Sequence, residues 1–343
     1  MAINMMSART LRRLAVPVAA LGLALGSAAT VPAATVSPVN TTYDRPGITL
    51  VPGGDFEIAW AGTDTNGKIN GALVNTGGAI INGTKWTDNN SATYQGTGAA
   101  IAFDPGLDFS LIAWTDLSKT VHVALDNTGV ACESTGFGSS VDTPYLTIAA
   151  DGTLYLTTVA ANGVMHVTEV DNNGCVNEGF IGGPGTLSAG PSTAVAGNAS
   201  YNGPTLVDLK GSGTPDLWLI WAGTNSAHNI NIARFTPGNP NLGTKYVETN
   251  HATTTDMGST TFTADTQGAA FFTYCGTNNV VYGQYFLGTG PATEIALGGS
   301  CNIYTSHSGF INGGVDVTYD PATSSFDYLF PNKGNLDLIL DAY

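Results

Sequence analysis

Apolar and polar positions alternate along most of the chain. Phe56, Ile58 and Trp60 interleave with Glu57, Ala59 and Ala61, the period-two pattern of a strand with one buried face. A polar, glycine-containing turn and a second apolar run follow, so 58–74 predicts one β-hairpin. The pattern returns as LIWAGTNSAHNINIARF from Leu219, TYCGTNNVVYGQYF from Thr273 and IAWTDLSKTVHVAL from Ile112, with weaker copies from Leu156 and Asp327. Each copy is preceded by a short apolar run, such as ITLV from Ile48, AAIAF from Ala99 or PTLVDL from Pro204. After the first five copies come tight turns: NTGG at 75, DNTG at 126, DNNG at 171, TPGN at 236 and LGTG at 287. A fourth extended segment closes each unit.

Aligning the hairpins on Trp60, Trp114, Thr158, Trp221, Tyr274 and Tyr328 spaces the units by 44 to 63 residues. The widest gap contains GGPGTLSAGPSTAVAGNAS, which reads as a loop inserted between units three and four. Six units of four strands predict an all-β fold, a six-bladed β-propeller of four-stranded blades. The chain stops after the third strand of unit six. An N-terminal strand from TVSPVNTTY, beginning at Thr35, is therefore expected to complete the last blade and close the ring. A sandwich would not repeat WAGT at whole-blade intervals, and a solenoid repeats at shorter spacing.

Composition narrows the setting. Residues 1–34 carry Arg9, Arg12 and Arg13 before the apolar LAVPVAALGLALG, with small residues at Ser27-Ala28-Ala29 and Val31-Pro32-Ala33. That is the layout of a secretory signal peptide, too short for a membrane span. It leaves 35–343 as a single propeller domain, secreted, extracellular and monomeric. Removing the three arginines leaves eight basic against 26 acidic residues, 8 − 26 = −18, which argues against nucleic acid and against membrane insertion. Four cysteines in an exported chain suggest two disulfides, and four cysteines allow three pairings. Cys132 and Cys175 follow the same turn in successive units, and Cys275 and Cys301 share one unit, favouring 132–175 and 275–301.

The repeated phrase, apolar-apolar-Trp-Ala-Gly-Thr followed by hydrophobic-Asn-hydrophobic, resembles secreted bacterial β-propeller proteins of the broad sialidase-like and lectin-like type. The resemblance spans 35–343 as architecture and is specific in units one, four and five. It implies an extracellular ligand, above all a glycan. Sialidase chemistry is not implied. That family binds a sugar carboxylate with an arginine cluster, and only Arg45 and Arg234 remain here.

In a propeller the loops joining strands two and three emerge on one face. Here they carry Asp64, Asn66, Asp116, Asn225, His228 and Asn278, a hydrogen-bonding ring suited to polyhydroxylated ligands. The same residue types are what turns require. Trp86 is the tryptophan expected to be exposed and to bind ligand as a sugar-stacking platform, whereas Trp60, Trp114 and Trp221 fit packing between blades. His122 and His166 occupy one repeated strand-three position, with Asn70, Asn231, Tyr282 and Asp337 in the other units. One histidine per strand is weak evidence for a metal, so no metal ligand is assigned.

No cofactor is expected, calcium being the one ion considered. Asp208 and Asp216 match the ends of an integrin-type calcium loop, but Lys210 and Ser212 replace its carboxylates and favour a plain turn. No nucleophile elbow, HExxH or phosphate loop occurs, leaving catalytic residues unassigned. The main expectation is a non-catalytic binder of a glycan or another extracellular ligand. The alternative is a glycoside hydrolase or lyase on the same fold, with Asp64 and Asp116 as acids that nothing selects as a pair.

Overall fold

The computed structural model describes residues 34–36, 42, 44–63, 67–89, 91–94, 97–126, 130–171, 187–210, 213–225, 228–252, 256–262, 269–302, 304–305 and 311–343. Among these no α-helix occurs, and no helix is long and apolar enough to cross a membrane. The chain is an all-β propeller of four-stranded blades. Four units form separate four-stranded antiparallel sheets. Units five and six form an eight-stranded sheet, two such meanders joined where Asp256 and Met257 pair in parallel with Gly314 and Val315.

The six apolar runs ahead of the hairpins become the inner strands: Gly47–Leu50, Ala99–Asp104, Tyr145–Ile148, Thr205–Asp208, Asp256–Phe262 and Gly314–Asp320. Together they line one axial cavity of about 180 Å³. The strand expected to complete unit six is present but short. Ala34–Thr35 pairs with the last strand, Ala34 opposite Leu340 and Thr35 opposite Ile339, and the Val36 amide donates to the Leu338 carbonyl at 3.0 Å.

Hydrophobic clusters lie between units, which explains the repeated aromatics. Trp60 packs with Phe56, Leu329 and Leu338 across the seam between units six and one. Trp114 packs against Ala59 and Ile69 of unit one, and Trp221 against Tyr155 and Met165 of unit three. All three are buried. Such rings remove large apolar areas from water, each fully buried one contributing a few kcal/mol. Lysines from outer segments cover two of them, Lys85 over Trp60 and Lys245 over Trp221, at 5.6 and 5.1 Å from the ring centroids.

Three details differ from the sequence reading. Residues 188–199 are not a loop; Ser188–Ala199 is the long outer strand of unit three, pairing from Asp171↔Ser188 to Val164↔Ala199. Its small side chains are mostly exposed, and backbone pairing at an outer edge asks little of them. In unit six the tryptophan position belongs to Phe330, not Tyr328. The hairpin-closing bond from the Asn332 amide to Asp337 O matches those from Gly62 to Lys68 O and Gly223 to Asn229 O. Phe330 faces Ile339, and Tyr328 faces Asp341. A shift of two residues keeps the same face of a strand, so alternation alone cannot detect it. Finally, Trp86 is half-buried. It lies flat against Gly71, where a Cβ would stand 2.4 Å from the indole.

The Cys275–Cys301 disulfide is present, with both residues fully buried. Cys132 is disulfide-bonded, and its expected partner Cys175 lies outside the described residues.

Candidate functional site

The strand-two to strand-three loops place their polar side chains mainly on their own backbone. Asp116 Oδ1 accepts from the Ser118 and Thr120 amides at 2.8 Å each. Asn225 Oδ1 accepts from the Asn229 amide. Asn278 Oδ1 accepts from the Val280 amide, while its Nδ2 donates to the Tyr282 hydroxyl at 2.7 Å. His228 sits at φ 46° with its Nδ1 3.2 Å from Gly223 O and its ring against Tyr201. Asp64 and Asn66 lie outside the described residues. Asp116, Asn225 and Asn278 each shape a turn with their side-chain oxygen.

His122 and its neighbours form one ionic group on the same face. Its ring stacks on Trp114 at 5.0 Å and stands 3.1 Å from Asp116 Oδ2 and 2.5 Å from Glu133 Oε1. Burial opposes charge on the imidazole, but hydrogen bonds to the two carboxylates outweigh it and raise its pKa above 6.5. Its cross-strand partner is Trp114, as that of His166 is Thr158, and the two histidines serve separate units.

Trp86 joins a polar chain between units one and two. Its Nε1 donates to Asp126 Oδ2 at 2.9 Å; Asp126 is hydrogen-bonded to Glu57, which accepts from the Ser110 hydroxyl. Burial and the Asp126 carboxylate push the Glu57 pKa up to about 8. Two acids in direct hydrogen bond share a proton and leave no room for the spacing of about 5 Å or more that glycoside hydrolysis uses between its carboxyls. This pair is an interblade latch.

The open clefts lie on the other face, where strand one turns into two and three into four. One, of about 700 Å³, runs between Phe103–Leu107 of unit two and Ile148–Gly152 of unit three. A second, of about 450 Å³, lies between units three and four, lined by Asp151, Tyr155, Pro215, Arg234, Phe235 and Pro237 among others. At this second cleft Arg234 Nε is 2.7 Å from Asp216 Oδ1, and more than half of the arginine side chain remains exposed. Burial, with Glu169 and Asp151 nearby, pushes the Tyr155 phenol up to about 12 and keeps it protonated. A planar cation, a carboxylate, a phenol and the apolar faces of two prolines therefore meet in a space of ligand size.

Asp208, the first residue of the calcium-like loop, has both oxygens engaged. Oδ1 accepts from the Lys210 and Asp216 amides, and Oδ2 from the Ala150 amide of unit three. It staples a turn to the neighbouring unit.

Sequence reasoning missed the cleft because its residues come from three turns of two units. In the sequence Arg234 stands out only as one of two arginines outside the N-terminal segment. It also missed a second repeat. Thr42-x-Asp44-x-Pro46, Ser140-x-Asp142-x-Pro144 and Ser200-x-Asn202-x-Pro204 precede three inner strands. In each the hydroxyl donates to the carbonyl two residues on, at 3.3, 2.8 and 2.5 Å.

No family model matches the chain, and no curated protein matches it. Solved structures do. AofleA from Arthrobotrys oligospora superposes with a TM-score of 0.64 at 10% identity, over 90% of this chain and 85% of that one. The SapL1 lectin, solved in complex with alpha methyl fucoside, gives 0.58 at 12% identity, over 90% and 95%. A fungal lectin, the Aleuria aurantia lectin, described as a six-bladed β-propeller with a novel fucose recognition mode, gives 0.53 at 9% identity, over 88% and 92%. At these identities the likeness is one of fold.

Proposed function

We propose that this chain is a six-bladed, carbohydrate-binding β-propeller that acts outside the cell as a non-catalytic monomer. Residues preceding the first strand serve as its export signal. Cleavage after Ala33 would keep Ala34 opposite Leu340. The disulfide and the acidic balance suit that location.

The observation that carries the binding reading is the Arg234–Asp216 pair, 2.7 Å apart at a cleft of about 450 Å³ lined by Tyr155 and Phe235. Sugars present alternating hydroxyls and C–H faces. A charge-paired arginine and a phenol supply directional hydrogen bonds, and the proline surfaces take up the apolar faces. Two of the structural relatives are described with fucose or a fucoside, so fucosides are the first probes. The strand-two to strand-three loop ring, including Asp116, Asn225, His228 and Asn278, is the competing face. Calorimetric titration with alpha methyl fucoside and a panel of neutral oligosaccharides tests the assignment. Arg234→Ala should weaken binding at least about tenfold, the loss of one charge-assisted hydrogen bond, while Asn225→Ala binds as wild type. The opposite pattern moves the site to the other face.

A further inference from the structure

The axis of the ring holds a second constellation, remote from that cleft. Asp44, Asp142 and Asp256 lie at or just before the inner strands of units one, three and five, and their carboxylate oxygens come within 4.8 Å of one another. All three side chains are buried, at 1%, 3% and 0% exposure. Units two, four and six place a glycine against these segments. A Cβ at Gly98 would stand 1.9 Å from Arg45 O, at Gly203 2.2 Å from Thr143 O, and at Gly314 2.6 Å from the Arg45 Cβ. Glycine in alternate units lets the three acid-bearing segments converge.

The carboxylates are only partly satisfied. Asp44 Oδ1 accepts from the Arg45 amide, Asp142 Oδ1 from the Thr143 amide, and Asp256 Oδ1 from the Gly203 amide. Among the described residues, the second oxygens of Asp44 and Asp256 are fully buried and accept no hydrogen bond. An unpaired buried carboxylate oxygen is costly, and two at one point call for a cation. Arg45 does not answer that call by direct hydrogen bonds. Its Nη1 and Nη2 donate to the carbonyls of Met257 and Pro144 at 2.7 and 2.6 Å, and its guanidinium stacks on Tyr145.

We propose that Asp44, Asp142 and Asp256 form a structural site for one hard divalent cation of the calcium type, seated on the axis and tying alternate blades together. Calcium binds oxygen ligands at about 2.3–2.6 Å, so two ligands of one ion lie at most about 5 Å apart, and the observed spacing satisfies that limit. With no histidine or cysteine in the set, a softer metal has no preferred donor. Burial raises the pKa of all three aspartates, for Asp44 and Asp142 with Asp256 as the next cause. A bound cation would reverse that direction.

The test uses the intact exported protein, its metal content read by mass spectrometry before and after chelation, then titrated with CaCl2 or MgCl2. About one calcium per chain is expected. The chelated protein should gain about 4 °C in melting temperature at a hundredfold excess of calcium over Kd. Asp142→Asn, of nearly the same shape, should lose both effects, and Asp208→Asn should keep them. Wild-type protein that neither retains nor responds to either ion overturns the proposal, and that measurement decides even if Asp142→Asn fails to fold. Binding lost in Asp208→Asn but kept in Asp142→Asn overturns it equally, by moving the ion to the unit-four loop.

Discussion

Val36 is the sharpest probe of how the ring is closed. It is 3% exposed and sits in the cluster of Ile48, Phe56, Trp60, Leu329, Leu338 and Leu340, at the seam between the last unit and the first. Val36→Ala removes two methyl-sized groups, worth about 1.6 kcal/mol by transfer at about 0.8 kcal/mol each. The space left behind adds to this, giving roughly 2–3 kcal/mol in all. For a chain of this size that lowers the melting temperature by about 3–5 °C. Thr35 provides the control. It is the neighbouring residue, paired to Ile339 through its backbone but exposed, so Thr35→Ala should change stability by less than about 0.5 kcal/mol. Thermal melts by circular dichroism, with urea denaturation for the free energies, give both values. Equal shifts for the two variants, or none for Val36→Ala, would refute docking of the terminal segment into the seam.

Three further outcomes follow from the packing. Replacing Cys275 and Cys301 together by Ala removes a cross-link spanning 26 residues and should cost about 3.5 kcal/mol by loop-closure entropy, read by urea denaturation. Gly98→Ala should destabilise by more than about 4 kcal/mol, because its Cβ meets the Arg45 carbonyl at 1.9 Å; Gly136→Ala, whose Cβ finds only Ser134 Oγ at 3.9 Å, should be nearly neutral. Glu57 gives a pH dependence. Its pKa rises from 4.5 to about 8 on folding, by burial and then by Asp126, so the native state keeps a proton that the unfolded chain releases. The latch is at full strength below about pH 4.5 and weakens as pH rises through 8. Glu57→Gln should flatten that part of the pH–stability curve, measured by urea denaturation from pH 4 to 9.

The blades were legible because their signal is local and repeated. Phe56–Ala61 alternates cleanly, WAGT returns, and Trp60, Trp114 and Trp221 share one packing role. What alternation could not resolve was register, as at Tyr328 and Phe330, or the outer strand Ser188–Ala199, whose small side chains carry no apolar signature. The sites were harder to read. Asp116, Asn225 and Asn278 were read as a binding ring, and their side-chain oxygens close turns. The Arg234 cleft and the Asp44, Asp142 and Asp256 group are assembled from segments far apart in the chain. Only the Ser/Thr-x-Asp/Asn-x-Pro repeat marked part of the latter.

The central claim, a glycan-binding propeller using the cleft between units three and four, is tested most directly by one titration. Purified wild-type protein and Arg234→Ala are compared for heat of binding to the tightest glycan found on an array that includes alpha-linked fucosides. Saturable binding to wild type, weakened at least about tenfold in a folded Arg234→Ala variant, is the predicted result. No binding to any glycan, or equal binding by both proteins, would contradict it.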